Sequence, residues 1–574
     1  MEKLKTTYKT SVVNMPAQKS ESRRLSVIKP SGSRDSAGGH PKIFNLVPRI
    51  IESSGFDIFN YRSVFEDEET KSLIREGKTI GCFYIESPGM RSLLKRTDCH
   101  TFEMLTAVSS VIRPGVAESG MMKEFIERHK NPKLRKYLVP EMEKYLAETY
   151  GVMIYQEDVI KVAHHIVGLT LEEADLLRRA MSGKMRSHKA MQLIVDKFFM
   201  CCKEKGYSNE VSNKLWKQIE SFAGYAFCKA HSASFALLSF QVAYLKAHYP
   251  AEFMAAVLSN GGGYYSASVY INECKRLGLN VLLPSVNKSE YDYTGSGKQI
   301  RIGLMAIKNM EKNTAELIIN ERKKNGDYVS LSDFLNRTRI GYEQTEILIK
   351  CGAMDCFNKT RPTLLRLLDI YSRNRNLSEQ ENQDLFAKSS IKLEDEVVTE
   401  KQFSSEEICV SEYEAFGYMV TKHPLEFFKT ETDSSYVIKA NEMINYHNKN
   451  VKMIGWYMAS KRIQTKNNEI MKFLSLEDLT GTFEAVLFPK TYQRFAELTL
   501  SIGPFIIEGR VDAENGNNII VENLSLLASE EAKSITQKDR TNTDFFGDPE
   551  KPLVTDEIYL VNSLDKEKLI QAYL

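Results

Sequence analysis

Five β-rich runs near the end of the chain decide the fold class: VKMIGWYMA (Val451–Ala459), EIMKFLSL (Glu469–Leu476), TFEAVLF (Thr482–Phe488), FIIEGRV (Phe505–Val511) and NIIVENLSL (Asn518–Leu526). Each carries branched or aromatic residues in near-alternation, the pattern of a half-buried strand. Asn467-Asn468 and Asn515-Gly516 supply hairpin turns, because Asn and Gly tolerate the backbone that tight turns require. Lys490–Leu498 predicts one helix between the third and fourth strands. Five strands with a helix after the third is the order of an OB-fold barrel. Lys461, Arg462, Lys466 and Lys472 lie near Trp456, Tyr457 and Phe473. That combination suits stacking and charge contacts with a single nucleic-acid strand, and it suits aromatics that fill a barrel core equally well.

Working outward, the sequence predicts a multidomain protein, mainly α, with this barrel near its C-terminus. Helical periodicity runs from Ile43 to about residue 260. Its best example is Tyr155–Val167, where Val159, Val162, Ala163, Ile166 and Val167 share a face. Thr170 followed by Glu173 is a capping box that opens the helix Leu171–Met181. Short β-rich runs, Asn280–Leu283 and Gln299–Gly303, flank the turn signal Gly295-Ser296-Gly297, and helices resume from Lys308 to about Arg373. The divisions are a flexible basic arm (1–41), a helical domain (42–275), a second helical region (276–376), an acidic Gln/Ser-rich linker (377–410), connecting helices (411–447), the barrel (448–530) and a tail or truncated small domain (531–574).

Composition narrows the class of protein. With 77 Lys+Arg against 75 Asp+Glu in 574 residues, charged partners must be met by local patches. No apolar run of about 18 residues predicts a membrane span, and the first residues lack a secretory core. Nine scattered cysteines, without framework spacing, fit reduced thiols in a cytoplasmic protein.

The densest cationic feature is Leu176-Leu177-Arg178-Arg179-Ala180-Met181-Ser182-Gly183-Lys184-Met185-Arg186-Ser187-His188-Lys189. Guanidinium groups bind phosphate through forked donors, and glycine lets backbone approach an anion. A solvated helix end with cations beside the C-terminal dipole is the plainer alternative. A second stretch, Ser221–Phe235, gathers aromatics, small residues, Lys229 and His231. It lacks a Gly-x-Ser-x-Gly elbow, which argues against a serine hydrolase. Gly77-Lys78-Thr79 ends like a phosphate-binding loop, but Ser72 stands where its first glycine belongs. No His-x-His or Cys-x-x-Cys occurs, and His164-His165 point about 100° apart on a helix. Two-metal phosphoryl transfer needs converging carboxylates, usually Asp-x-Asp on a strand. The chain contains no Asp-x-Asp, so no catalytic or metal-ligating residue is assigned.

Six segments in order resemble the bacterial DNA polymerase III alpha subunits. They are Gly81–Arg91 (GCFYIESPGMR), Ile112–Met121 (IRPG…SGM), Glu148–Glu157 (ETYGVMIYQE), the arginine run, Phe222–Ser234 (FAGYAFCKAHSAS) and Leu245–Met254 (LKAHYPAEFM). The resemblance covers about residues 45–305 and implies polymerase fingers, followed by helix-hairpin-helix, clamp-binding and OB segments. It implies that Arg178 and Arg179 hold the triphosphate of an incoming dNTP, with Lys184 and Arg186 nearby. Lys229, His231 and Ser232 would lie along the nucleotide and DNA path.

Three departures temper the resemblance. Gly303–Glu311 (GLMAIKNME) matches a hairpin in which the family has glycines at the places of Asn309 and Glu311. In the linker, Asn382-Gln383-Asp384-Leu385-Phe386 resembles a sliding-clamp peptide, with Gln383, Leu385 and Phe386 as its anchors. The family's PHP domain and palm, whose carboxylates hold Mg²⁺, are expected before Ile43 and are not recognisable there. The implied function is DNA synthesis, with this chain gripping dNTP and primer-template DNA and a separate PHP/palm chain supplying the metal ligands. A non-catalytic DNA-binding or clamp-tethering remnant is the alternative.

Overall fold

The computed structural model describes residues 57–112, 120–181, 188–220, 228–381, 400–428, 432–465, 467–514 and 516–527. Its helical part includes α1 (Pro88–Arg96), α2 (Phe102–Val111), α3 (Gln156–Lys161), α4 (Leu171–Met181), α5 (Lys229–His248), α6 (Pro250–Ser259) and α7 (Ala267–Arg276), with further helices between them, His188–Glu204 and Asn209–Glu220 among these. The centre is α5. Phe240, Val242, Ala243 and Leu245 are all buried, and a helix apolar on every side belongs inside a protein. The buried Lys246 ammonium spends its three protons on Lys78 O (2.8 Å), Ile80 O (2.8 Å) and Glu273 Oε1 (2.6 Å). Such full satisfaction makes an interior charge tolerable.

The capping box before α4 forms as its spacing predicts. Glu173 N–H donates to Thr170 Oγ1 (3.2 Å) and Thr170 N–H donates to the Glu173 carboxylate (3.0 Å). Glu172 and Glu173 occupy the first turn and Arg178 and Arg179 the last, so both ends complement the helix dipole. The face predicted for Tyr155–Val167 is buried, but the segment is not one α-helix. After α3 it widens to a π-helix over Val162–Val167, a form that hydrophobic spacing alone does not distinguish.

A small sheet follows, ordered β1 (Asn280–Leu282), β3 (Gln299–Arg301), β2 (Thr294–Ser296). The expected turn signal at Gly295 is partly strand. A Cβ there would lie 2.1 Å from Ala251 O, so only glycine permits this approach to α6. The next helices are α8 (Lys312–Asn325), α9 (Leu331–Thr338), α10 (Tyr342–Lys350) and α11 (Arg361–Glu381). α8 starts later than Lys308 because a 3₁₀ turn (Leu304–Ala306) and Asn309, at φ 60°, intervene. α12 (Ser405–Phe416) leads toward the barrel.

The barrel strands are β4 (Asn450–Gln464), β5 (Ile470–Glu477), β6 (Thr482–Leu487), β7 (Phe505–Asp512) and β8 (Asn518–Leu526). Their closed order, β4-β5-β6-β8-β7, has antiparallel pairs except β6 with β8. α13 (Pro489–Phe495) follows the third barrel strand, so the OB topology is complete. Met453, Leu474, Leu476, Phe483, Phe505 and Ile507 fill the interior. β4 extends to Gln464, past the expected end at Ala459, because Ser460–Gln464 pair with Ile470–Leu474 as a hairpin arm. Polar residues in that arm break the alternation that marks a strand.

Glu477 of β5 joins barrel and helices. Its buried carboxylate accepts from Asn272 Nδ2 (2.7 Å) and Arg276 Nη1 (2.7 Å) of α7 and faces His423 at 3.5 Å. All nine cysteines are free thiols. Among the described residues no helix is long and apolar enough to cross a membrane.

Candidate functional site

The arginines at the end of α4 are held as a pair by one acid. Arg178 reaches Asp175 Oδ1 through Nε (2.9 Å) and Nη2 (2.8 Å), and Arg179 Nη2 reaches Asp175 Oδ2 at 2.7 Å. Arg178 Nη1 also donates to Gln156 Oε1 at 2.9 Å, which ties α4 to the start of α3. The Arg178 side chain is 23% exposed and that of Arg179 is 62% exposed. Hydrogen bonding from Arg178, with both guanidinium charges nearby, keeps the Asp175 carboxyl below its ordinary range.

The next residue after Gln156 organises a second cationic element. The Glu157 carboxylate accepts from Lys229 N at 2.9 and 3.1 Å, satisfying the first turn of α5. Lys229 Nζ pairs with Glu148 at 2.6 Å and lies 5.4 Å from the centre of the Tyr155 ring. Adjacent residues of α3, Gln156 and Glu157, thus fix two cation-bearing elements that are far apart in sequence.

His231 is exposed, with its ring 4.5 Å from that of Phe235. Tyr84 stacks on the same Phe235 at 4.9 Å and 23°. Its φ of 71° is unusual for a bulky residue, and such strain persists only where surroundings enforce it. Ser232 does not face this surface. It is fully buried and its Oγ accepts from Ser110 Oγ at 2.8 Å, so its place is in the packing of α5 on α2. The helical phase carries that signal, since Ser232, Ala236 and Phe240 are spaced by four and share the inner face.

The barrel surface also departs from expectation. Lys472 is buried, and its ammonium donates to Thr499 O (3.2 Å) and Oγ1 (3.1 Å). Burial, reinforced by Arg462, lowers its pKa to about 8. It shares strand parity with Leu474 and Leu476, which points it inward. Trp456 packs with Leu425 and Ile454 outside the barrel core, whereas Lys461 and Arg462 remain exposed. In the Gly303–Glu311 hairpin, Asn309 adopts the left-handed conformation (φ 60°) that a glycine would supply. Lys184, Arg186, Lys466, Gln383, Leu385 and Phe386 lie outside the described residues.

No group of three or more His, Cys, Asp or Glu among the described residues is arranged to hold a metal ion. Asp175, Glu148 and Glu157 are each engaged by cations or backbone amides.

Fold and site together define a helical assembly with two guanidinium groups paired on the Asp175 carboxylate, followed by helices in tandem and an OB barrel. Residues 42–206 match the bacterial DNA polymerase III alpha subunit finger domain, and residues 278–364 match a helix-hairpin-helix motif. The chain is 34% identical over 472 residues to the DNA polymerase III subunit alpha of Aquifex aeolicus, covering 81% of this chain and 39% of that protein. To the same subunit of Borreliella burgdorferi it is 35% identical over 459 residues (78% of this chain, 39% of the other). To that of Staphylococcus aureus it is 31% identical over 522 residues (88% and 47%). The chain thus carries a segment that matches the finger domain and is similar over most of its length to DNA polymerase III alpha subunits, spanning less than half the length of these relatives.

Proposed function

We propose that this chain serves DNA synthesis as the nucleotide- and DNA-gripping part of a polymerase of the DNA polymerase III alpha kind. The observation that carries this reading is the Arg178–Asp175–Arg179 cluster, anchored through Gln156 beside the α5 terminus that presents Lys229 and His231. A guanidinium has five N–H donors, and Arg178 directs three of them at Asp175 and Gln156, which leaves two for phosphate oxygens. Lys184 and Arg186 would join this clamp by sequence proximity.

The reaction of this class joins a primer 3′-hydroxyl to the dNTP α-phosphate and releases pyrophosphate. Mg²⁺ would stabilise the developing charge, held by carboxylates of a separate PHP/palm chain. The chain's own residues bind and orient the triphosphate and hold the duplex. Partners under this reading are primer-template DNA, dNTP and, through Gln383, Leu385 and Phe386, a sliding clamp.

Primer extension tests it, with the chain alone and with a separately produced PHP/palm chain. Extension in either arm supports the reading, and extension by the chain alone relocates the metal ligands into it. DNA binding with no extension in both arms favours a non-catalytic DNA-binding or clamp-tethering role.

The hairpin gives a second expectation. Glu311 is the exposed N-cap of α8, where a phosphate would meet the helix terminus. Glu311→Gly removes a like charge and is expected to raise duplex-DNA affinity about threefold at low salt. Unchanged affinity in an anisotropy titration would take this hairpin off the DNA path.

A further inference from the structure

The stretch Arg128–Lys136 (RHKNPKLRK) holds five Lys/Arg and His129 without one acid, in a chain whose net charge is only +2. The helix Met121–Lys130 ends inside it, and cations beside a helix C-terminus are ordinary. That effect fades beyond the last turn, so Lys133, Arg135 and Lys136 need another account. The loop they occupy has a fixed shape. Asn131 Oδ1 accepts from Lys133 N–H at 3.1 Å, Leu134 N–H donates to Asn131 O at 3.0 Å, and Pro132–Leu134 form a 3₁₀ turn. Arg135 is held from two sides: its Nε donates to Arg128 O at 3.1 Å, and its guanidinium lies 4.3 Å from the centre of the Tyr150 ring. Beneath it, Arg128 Nη1 donates to Tyr150 O at 2.8 Å. Gly151 closes the packing, since a Cβ there would lie 2.9 Å from Arg128 Nη1 and 3.0 Å from Lys136 O.

The charge on this loop is unbalanced. Lys130, Lys133 and Lys136 are exposed and make no ion pair among the described residues. Like charges held together repel, and a loop of fixed shape cannot spread them, so an anion laid across it removes that cost. The loop is also joined to the start of α5: Tyr150, on which Arg135 rests, is two residues from Glu148, the partner of Lys229 at 2.6 Å. The kind of anion follows from what the loop lacks. Tyr137 and Tyr150 pack against the core, and Arg135 covers Tyr150, so the loop offers no free ring on which a base could stack. Single strands are held by stacking together with charge, whereas a duplex is held through its backbone phosphates. Three unpaired ammonium groups without a stacking surface are the second set.

We propose that the loop Lys130–Lys136 is a contact site for the phosphodiester backbone of duplex DNA, separate from the Arg178 cluster, with Lys130, Lys133 and Lys136 each meeting a phosphate. This rests on the reading of the chain as a DNA-gripping part and adds to it a contact that is indifferent to sequence. Because the loop keeps its shape without DNA, little ordering opposes the contact.

The test is a fluorescence-anisotropy titration of the full chain with a fluorescein-labelled blunt duplex across a salt series. Lys130→Gln, Lys133→Gln and Lys136→Gln combined are expected to weaken binding about 10- to 100-fold and to lower the salt slope by about 2.7, at about 0.9 for each phosphate. Lys71→Gln, Lys214→Gln and Lys439→Gln combined remove the same charge from lysines already paired with carboxylates, and should leave affinity within about twofold. Lys130→Arg, Lys133→Arg and Lys136→Arg combined should bind as the unaltered chain does. Equal effects of the two glutamine sets, or none from the loop set, overturn the site while leaving the DNA-gripping reading intact. No binding of DNA by the unaltered chain overturns both. The same titration with oligodeoxythymidylate should show a smaller loss, and a loss as large as that on the duplex would make the loop a single-strand site and overturn the duplex. Binding of a fluorescent dNTP should be unchanged by the loop set, and its loss would merge the loop with the Arg178 cluster and overturn a separate site.

Discussion

Glu477→Ala is expected to undock the barrel from the helices at a cost of about 3–5 kcal/mol, the usual result of removing one member of a buried ion pair. The residue is fully buried and accepts from two α7 side chains, Asn272 and Arg276, while facing His423. Arg276 Nε also holds Glu273 at 3.0 Å, and Glu273 holds Lys246, so one network runs from β5 through α7 to α5. Alanine at 477 leaves the Arg276 guanidinium buried with half of its charge compensation. Trp456 lies at the same junction, so its fluorescence should report a lower urea midpoint and an early transition. Glu477→Gln keeps an acceptor without the charge and should fall between. A midpoint unchanged by Glu477→Ala would mean that apolar packing alone holds the junction.

The same network sets a pH dependence. Burial would raise both carboxyls, but Lys246 and Arg276 bring Glu273 down to about 2, and Arg276 with His423 keeps Glu477 below its ordinary value. A carboxylate with a depressed folded-state pKa stabilises fully above its unfolded pKa, about 4.3 for Glu, and loses this as pH falls toward the folded value. Docking should therefore be intact from neutrality to about pH 4.3 and weaken below it.

The barrel was legible in the sequence because strand alternation and Asn-containing turns are local signals. What lay in phase was legible too, though not from residue type. Lys472 follows the inward parity of Leu474 and Leu476, and Ser232 the inner face shared with Ala236 and Phe240. Reading Lys472 as a surface group put chemistry ahead of period. The contacts that make a site were hidden for another reason. Gln156 and Arg178 are 22 residues apart, and Glu157 and Lys229 are 72 apart, so only the tertiary fold joins them.

Arg178→Ala is expected to weaken dNTP binding by about 10- to 100-fold, because hydrogen bonds to charged groups contribute about 1.5–3 kcal/mol. Arg179→Ala should do less, since that side chain is more exposed. Titration of a fluorescent dNTP against the chain with primer-template DNA measures both. The decisive variant is Arg178→Lys, which keeps the charge and loses the fork. If the clamp works through a guanidinium oriented by Asp175 and Gln156, lysine should restore little of the affinity, because an ammonium cannot hold both anchors and present paired donors to phosphate. If lysine restores it fully, the site acts by charge alone. The geometry around Asp175 would then be the ordinary end of a helix, with its cations beside the dipole.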